Sequence, residues 1–106
     1  MKRIIVRYKV KPDRVQENQE HVQKVFAELL RNGPAGLRYA SFKASDSPTF
    51  FHIVSIETEN GENPLSQLEA FKAFTANIQE RCEEPPVATE LEEVGSYRFF
   101  GQALPN

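Results

Sequence analysis

The chain has 106 residues, 40% of them apolar and 26% charged, with a net charge of −2. That is enough for one compact domain spanning 1–106, and the composition is globular rather than disordered. So even a charge balance gives no broad electrostatic hold on nucleic acid or an anionic membrane, and a single cysteine excludes an intrachain disulfide framework.

Arg7 and Lys9 interrupt the opening apolar stretch, so it does not read as a secretory leader. No apolar run approaches the ~18 residues of a spanning helix. The expectation is a cytoplasmic protein with no membrane partner.

Residues 3–10 alternate. Ile4, Val6, Tyr8 and Val10 point one way and Arg3, Ile5, Arg7 and Lys9 the other, which predicts a strand. Lys11-Pro12-Asp13 ends it and suits a helix start. From about Arg14 to Arg31, Val15, Val22, Val25, Phe26, Leu29 and Leu30 recur at helical spacing above a charged face. Gly33 and Pro34 stop that helix. Strands are expected at 37–44 and 49–57, joined across the Ser45-Asp46-Ser47-Pro48 turn as an antiparallel hairpin. Leu65, Leu68, Phe71, Phe74, Ile78 and Cys82 predict a second amphipathic helical region, closed by Glu83-Glu84-Pro85-Pro86. The last strand is expected at 88–100, with Gly95 as a bulge.

The order β-α-β-β-α-β predicts an α+β, ferredoxin-like fold: a four-stranded antiparallel sheet with the helices on one face. Two helices cover only one face of such a sheet. Yet Phe51 and Ile53 lie opposite Phe50, Val54 and Ile56, Ile5 lies opposite Ile4, and Phe42 opposite Leu37 and Tyr39. A solvated face should read polar. The second face is therefore expected to meet a second copy of the chain as a two-fold homodimer. Arg7 and Arg38 on that face would need partners, for which Glu57, Glu92 and Glu93 stand ready.

The strand running into Val10-Lys11-Pro12-Asp13, the Asp46-Ser47-Pro48 hairpin and the strand ending at Glu57-Thr58 together resemble the antibiotic biosynthesis monooxygenase-like family. The Leu68-Glu69-Ala70-Phe71 helix start and Gly95-Ser96-Tyr97-Arg98 extend the resemblance over almost the whole chain. It implies a dimeric α/β barrel with a pocket between sheet and helices. It also implies either oxidation of a small aromatic or quinol-type molecule with no metal, flavin or other cofactor, or haem degradation, or no assigned reaction. The haem degraders carry an Asn, a Trp and a helical His. This chain has no Trp, and neither histidine lies in the second helical region, which argues against haem chemistry. Tryptophan also serves in some of the family's oxidising pockets, so its lack counts against that reading as well.

His52, mid-strand between Phe51 and Ile53, is the candidate catalytic base, since an imidazole titrates near ~6.5; a satisfied core histidine fits the same position. Tyr39, Phe71 and Phe74 are candidate substrate-binding residues, with Arg81 gripping an anionic oxygen; each also suits ordinary packing or a solvated helix end. Glu17 and His21 share a helix turn, but two ligands do not make a metal site, and none is expected. Cys82 reads as an inert packed thiol. The RNA-recognition module shares this element order, but TFFHIVSIE lacks the basic residue and glycines of its aromatic strand. No nucleic-acid partner is expected. The alternative to an enzyme is a non-catalytic dimer that binds a small apolar molecule or is purely structural.

Overall fold

A computed structural model describes residues 1–99 of the chain. Strand β1 (Lys2–Val10) is followed by a 3-10 turn (Pro12–Arg14) and helix α1 (Val15–Asn32). Strands β2 (Leu37–Lys43) and β3 (Thr49–Ile56) form the hairpin. A second 3-10 turn (Pro64–Gln67) leads into helices α2 (Glu69–Ala76) and α3 (Ile78–Arg81), and strand β4 (Cys82–Leu91) completes the fold. The sheet has four strands in the order β2-β3-β1-β4, all neighbours antiparallel. The helices pack on one face, so the α+β, ferredoxin-like architecture holds.

Alternation along the strands sorts the two faces. Tyr8 and Val10 of β1 and Phe50, Val54 and Ile56 of β3 are buried against Val25 of α1, Leu65, and Phe74 of α2. Ile5, Ala40 and Ile53 on the other face are only half-buried, and Phe42 stays 52% exposed. Arg38 pairs with Glu57 at 3.1 Å, Arg7 with Glu84 at 2.9 Å, and Arg3 with Glu93, so the charges bordering the open face find partners within the chain. Of the carboxylates expected to partner Arg7 and Arg38, Glu57 serves Arg38, whereas Arg7 takes Glu84 and Glu93 goes to Arg3.

Four expectations need correction. The last strand runs over Cys82–Leu91 rather than 88–100. It starts where the helical region stops, and Pro85 and Pro86 lie inside it instead of before it. An edge strand tolerates proline because one row of its N–H groups has no partner strand. The pairing with β1 slips one residue between Arg7 and Lys9 and another between Lys9 and Val10, so the irregularity sits opposite the prolines. Gly95 lies beyond the strand and is not its bulge, and Phe100 lies outside the described residues. The second helical region is also broken into pieces: Leu68 is extended (φ −84°, ψ 131°) and Asn77 leaves helical geometry (φ −126°, ψ 28°). Leu68 offers α2 no side-chain cap. Glu28 of α1 supplies one across the interface, its carboxylate accepting from Ala70 N at 2.8 Å. Leu30, expected on the apolar stripe of α1, is 87% exposed.

Candidate functional site

His52 pairs with Val6 on β1 and with Ser41 on β2. In an antiparallel sheet the same-face neighbours two residues along are within reach of long side chains. For His52 these are Tyr8 and Tyr39, and both meet the ring: Tyr8 Oη lies 2.8 Å from Nε2 and Tyr39 Oη 2.7 Å from Nδ1. Ser41 Oγ stands further off, 3.5 Å from Nε2.

The contacts continue beyond Tyr8. Asn18, on the second turn of α1, donates from Nδ2 to Tyr8 Oη at 2.8 Å. Arg81 at the end of α3 donates from Nε to Asn18 Oδ1 at 3.2 Å and from a terminal nitrogen to the Phe74 carbonyl at 2.7 Å. Its guanidinium also lies over the Phe74 ring, 5.5 Å from the centroid. A buried hydrogen-bonded row thus runs Tyr39–His52–Tyr8–Asn18–Arg81 between sheet and helices. Aromatic rings wall it: His52 stacks with Tyr8 and Tyr39, Phe74 tilts against His52 at 5.5 Å, and Phe26 stacks on Tyr39 at 5.0 Å. Among the described residues no buried side-chain nitrogen or oxygen lacks a partner.

Burial sets the protonation states. It pushes His52 down to about 4, so the imidazole is neutral near pH 7. It raises both phenols well above their ordinary value, with the Asn18 hydrogen bond and the Arg81 charge opposing it at Tyr8. It lowers Arg81, whose guanidinium nevertheless remains the cation of the row. Burial likewise raises the Cys82 thiol, in keeping with an inert side chain.

Of the residues singled out in the sequence, the fold brings His52, Tyr39, Phe74 and Arg81 together. Phe71 packs behind Phe74, ring centroids 6.1 Å apart. Tyr39 is half-buried and also forms the wall of a cleft of about 190 Å³, with Phe26, Leu29, Leu30, Pro34 and Leu37. Sequence reasoning missed Tyr8 and Asn18. The signal for Asn18 was present: with Val15, Val22, Val25 and Leu29 it occupies one stripe of α1, a polar residue at an apolar position. Glu17 is held by Arg14 at 2.6 Å, and no cluster of three metal-ligating side chains occurs among the described residues.

The fold is that of several solved structures. An antibiotic biosynthesis monooxygenase superposes with a TM-score of 0.72 at 18% identity, over 90% of this chain and all of that one. A Nitrosomonas europaea protein provisionally named as an antibiotic biosynthesis monooxygenase gives 0.71 at 16% identity, over 88% of this chain and 89% of that one. A Mycobacterium tuberculosis protein gives 0.73 at 14%, over 90% and 96%. At such identities the likeness is one of fold. No family model and no curated protein matches the chain significantly. No helix among the described residues is long and apolar enough to cross a membrane.

Proposed function

We propose that the chain acts as a homodimeric, cofactor-independent monooxygenase that oxidises a small aromatic or quinol-type molecule with molecular oxygen. For a phenolic substrate the balance closes with no outside reductant. One oxygen atom replaces a ring C–H to give a quinone, the other leaves as water, and the substrate supplies all four electrons. The observation that carries this reading is the buried row from Arg81 to Tyr39, which ends on the wall of an apolar cleft. In it Tyr39 meets the substrate, and Phe71 and Phe74 back it with aromatic surface. Arg81 supplies positive charge from within the row rather than by direct grip. Both ring nitrogens of His52 are engaged by tyrosines, so His52 takes a positioning role behind Tyr39 in place of direct contact as the base.

The homodimer is supported by the open sheet face, where Phe42 and Val87 are 52% and 62% exposed and Ile5, Ala40, Phe51 and Ile53 half-buried. The test of the whole reading is oxygen uptake with 1-naphthol and 1,4-naphthohydroquinone, comparing the wild type with Tyr39→Phe and His52→Gln. Uptake that falls at least ten-fold in Tyr39→Phe supports it; no uptake above buffer refutes it. The second reading, a dimer that binds a small apolar molecule without transforming it, is favoured by a His52 ring held neutral with both nitrogens occupied. Ligand binding with no oxygen consumption would establish that reading.

A further inference from the structure

The groove between α1 and β2 has two ends of different chemistry. At one end lies the apolar cleft of about 190 Å³ between Leu29 and Leu30 of α1 and Leu37 of β2. At the other end a cleft of about 210 Å³ is lined by Gln19 and Gln23 of α1 and by Ser41 and Lys43 of β2. Phe26 and Tyr39, their rings stacked 5.0 Å apart, stand where the two clefts meet. The Tyr39 hydroxyl is spent on His52 Nδ1, so the polar contacts of the groove fall to Ser41 and the glutamines. Ser41 is half-buried. Its one hydrogen-bonding neighbour among the described residues, His52 Nε2, stands 3.5 Å from Oγ and already has Tyr8 at 2.8 Å. The half-buried Gln19 amide has no hydrogen-bond partner among the described residues. Lys43 is engaged elsewhere, its ammonium donating to the Ala44 carbonyl at 2.7 Å and the Ser47 carbonyl at 3.4 Å. No carboxylate lines either end. At the apolar end Leu30 is 87% exposed, a large apolar side chain that the fold itself does not bury.

We propose that this groove takes a single-ring phenol or quinol carrying an unbranched alkyl chain opposite the hydroxyl. The hydroxyl lies at Ser41 and Gln19, the ring against Phe26 and Tyr39, and the chain along Leu29, Leu30 and Leu37. A phenolic hydroxyl both donates and accepts, as do a serine hydroxyl and a primary amide, so the three satisfy one another. With Lys43 held by carbonyls, the head of the ligand needs no charge. The length of the chain follows from the helix. Phe26 to Leu30 is a step of four residues, about 6 Å, which gives room for about five chain carbons. This orientation sets the phenolic oxygen at the end of the groove where Ser41 faces His52 across the strands. The proposal rests on the reading of the apolar cleft as a ligand site, narrows its substrate class, and is read by binding alone.

The probes are phenol, 4-propylphenol, 4-pentylphenol, 4-heptylphenol, pentylbenzene and 4-pentylbenzoate. Their dissociation constants are measured by equilibrium dialysis against the full chain. A methylene leaving water is worth about four-fold in affinity when fully buried and about two-fold in an open cleft. Affinity should therefore rise at least about thirty-fold from phenol to 4-pentylphenol and level off by 4-heptylphenol. Leu30→Asp should remove most of that rise while leaving phenol within about two-fold, and the exposure of Leu30 spares the fold. The double variant Gln19→Ala/Ser41→Ala should weaken 4-pentylphenol about five-fold, one ordinary hydrogen bond's worth, and leave pentylbenzene within about two-fold. 4-Pentylbenzoate should bind more weakly than 4-pentylphenol. A flat chain-length series, a rise that continues unchanged to 4-heptylphenol or persists in Leu30→Asp, equal losses of 4-pentylphenol and pentylbenzene in the double variant, or tighter binding of the benzoate overturns the proposal. If 1-naphthol is nevertheless oxidised, the monooxygenase reading stands without it. Failure of every probe to bind overturns it together with the cleft as a ligand site. Selective binding of 4-pentylphenol without oxygen uptake confirms it and removes only the monooxygenase reading.

Discussion

Replacing Tyr8 by phenylalanine removes one oxygen, leaving Asn18 Nδ2 without its acceptor and His52 Nε2 with only Ser41 Oγ at 3.5 Å. Tyr8 is fully buried, and among the described residues its hydroxyl is the one partner of Asn18 Nδ2 and the near partner of His52 Nε2. A buried polar group left unsatisfied costs about 1–3 kcal/mol. The phenylalanine no longer has a hydroxyl to desolvate, which offsets part of one such term. The expected net loss is therefore about 2–3 kcal/mol, a large fraction of the ~5–15 kcal/mol that holds a domain of this size. In thermal terms it is a drop of roughly 10–20 °C, at ~4–8 °C per kcal/mol for about 100 residues. Urea unfolding at one fixed protein concentration gives the measurement, since dimerisation would make the midpoint concentration-dependent. The double variant Tyr8→Phe/Asn18→Leu removes the stranded amide as well, and should cost less than the sum of the single changes by about 1 kcal/mol or more. A Tyr8→Phe loss below about 0.5 kcal/mol, or strict additivity in the double variant, would refute the buried row as a coupled unit.

Protonation of His52 should destabilise the fold as pH falls. Its native value is depressed to about 4 from the ordinary ~6.5, so the stabilising contribution is complete above pH 6.5 and fades between 6.5 and 4. The full effect is about 3 kcal/mol, and urea midpoints at pH 7.5, 5.5 and 4.5 should fall more steeply for wild type than for His52→Gln, whose side chain does not titrate. Gly36→Ala should cost about 2 kcal/mol, because φ is +77° and a Cβ would lie 2.8 Å from Thr58 Cγ2 and 3.0 Å from the Thr58 backbone. Gly33→Ala, also at positive φ but in open space, should cost about half as much in the same unfolding assay. Glu28→Ala leaves the start of α2 without its acceptor and should cost about 1 kcal/mol, measurable as a lower urea midpoint at unchanged slope.

Much of the fold was legible because the periodicities were clean. Residues 3–10 alternate without interruption and β1 forms over Lys2–Val10; the α1 stripe repeats over five turns and is capped at Gly33 in left-handed geometry. The last strand departs from its expected bounds because a proline pair that suits a helix end also fits an edge strand. The helical region already ends at Arg81, and on an edge strand Pro85 and Pro86 do not prevent pairing on the inner side. Of the site, His52, Tyr39, Phe74 and Arg81 were visible as residue types, whereas their arrangement was not. It depends on register: His52 opposite Val6 and Ser41 is what makes Tyr8 and Tyr39 its diagonal neighbours, and a one-residue slip would turn the ring to the other face. For Arg81 the sequence offers a grip on an anionic oxygen or a solvated helix end, whereas the side chain is buried and donates to Asn18 and to the Phe74 carbonyl. The break at Asn77 is what turns the short α3, and Arg81 with it, into the interior.

The alternation of β3 also separates two roles along one strand. His52 is buried in the row beneath the helices, and its chain neighbour Ile53 lies on the open face beside Ala40 and Phe42. Adjacent substitutions should therefore fail in different ways. Ile53→Glu places a charge at the centre of the apolar patch and leaves every hydrogen bond of the row intact, so a chain that dimerises through this face should halve in mass by light scattering while oxygen uptake with 1-naphthol persists. His52→Gln leaves the open face unchanged, so association should persist while the row loses its link between Tyr8 and Tyr39 and oxygen uptake falls. If Ile53→Glu instead unfolds the chain, Phe42→Glu at the exposed edge of the same patch gives the same comparison with less burial at stake. A dimer that survives both charges would show that the apolar open face is not what joins two copies, and one in which oxygen uptake and association always fall together would show that the two faces do not act separately.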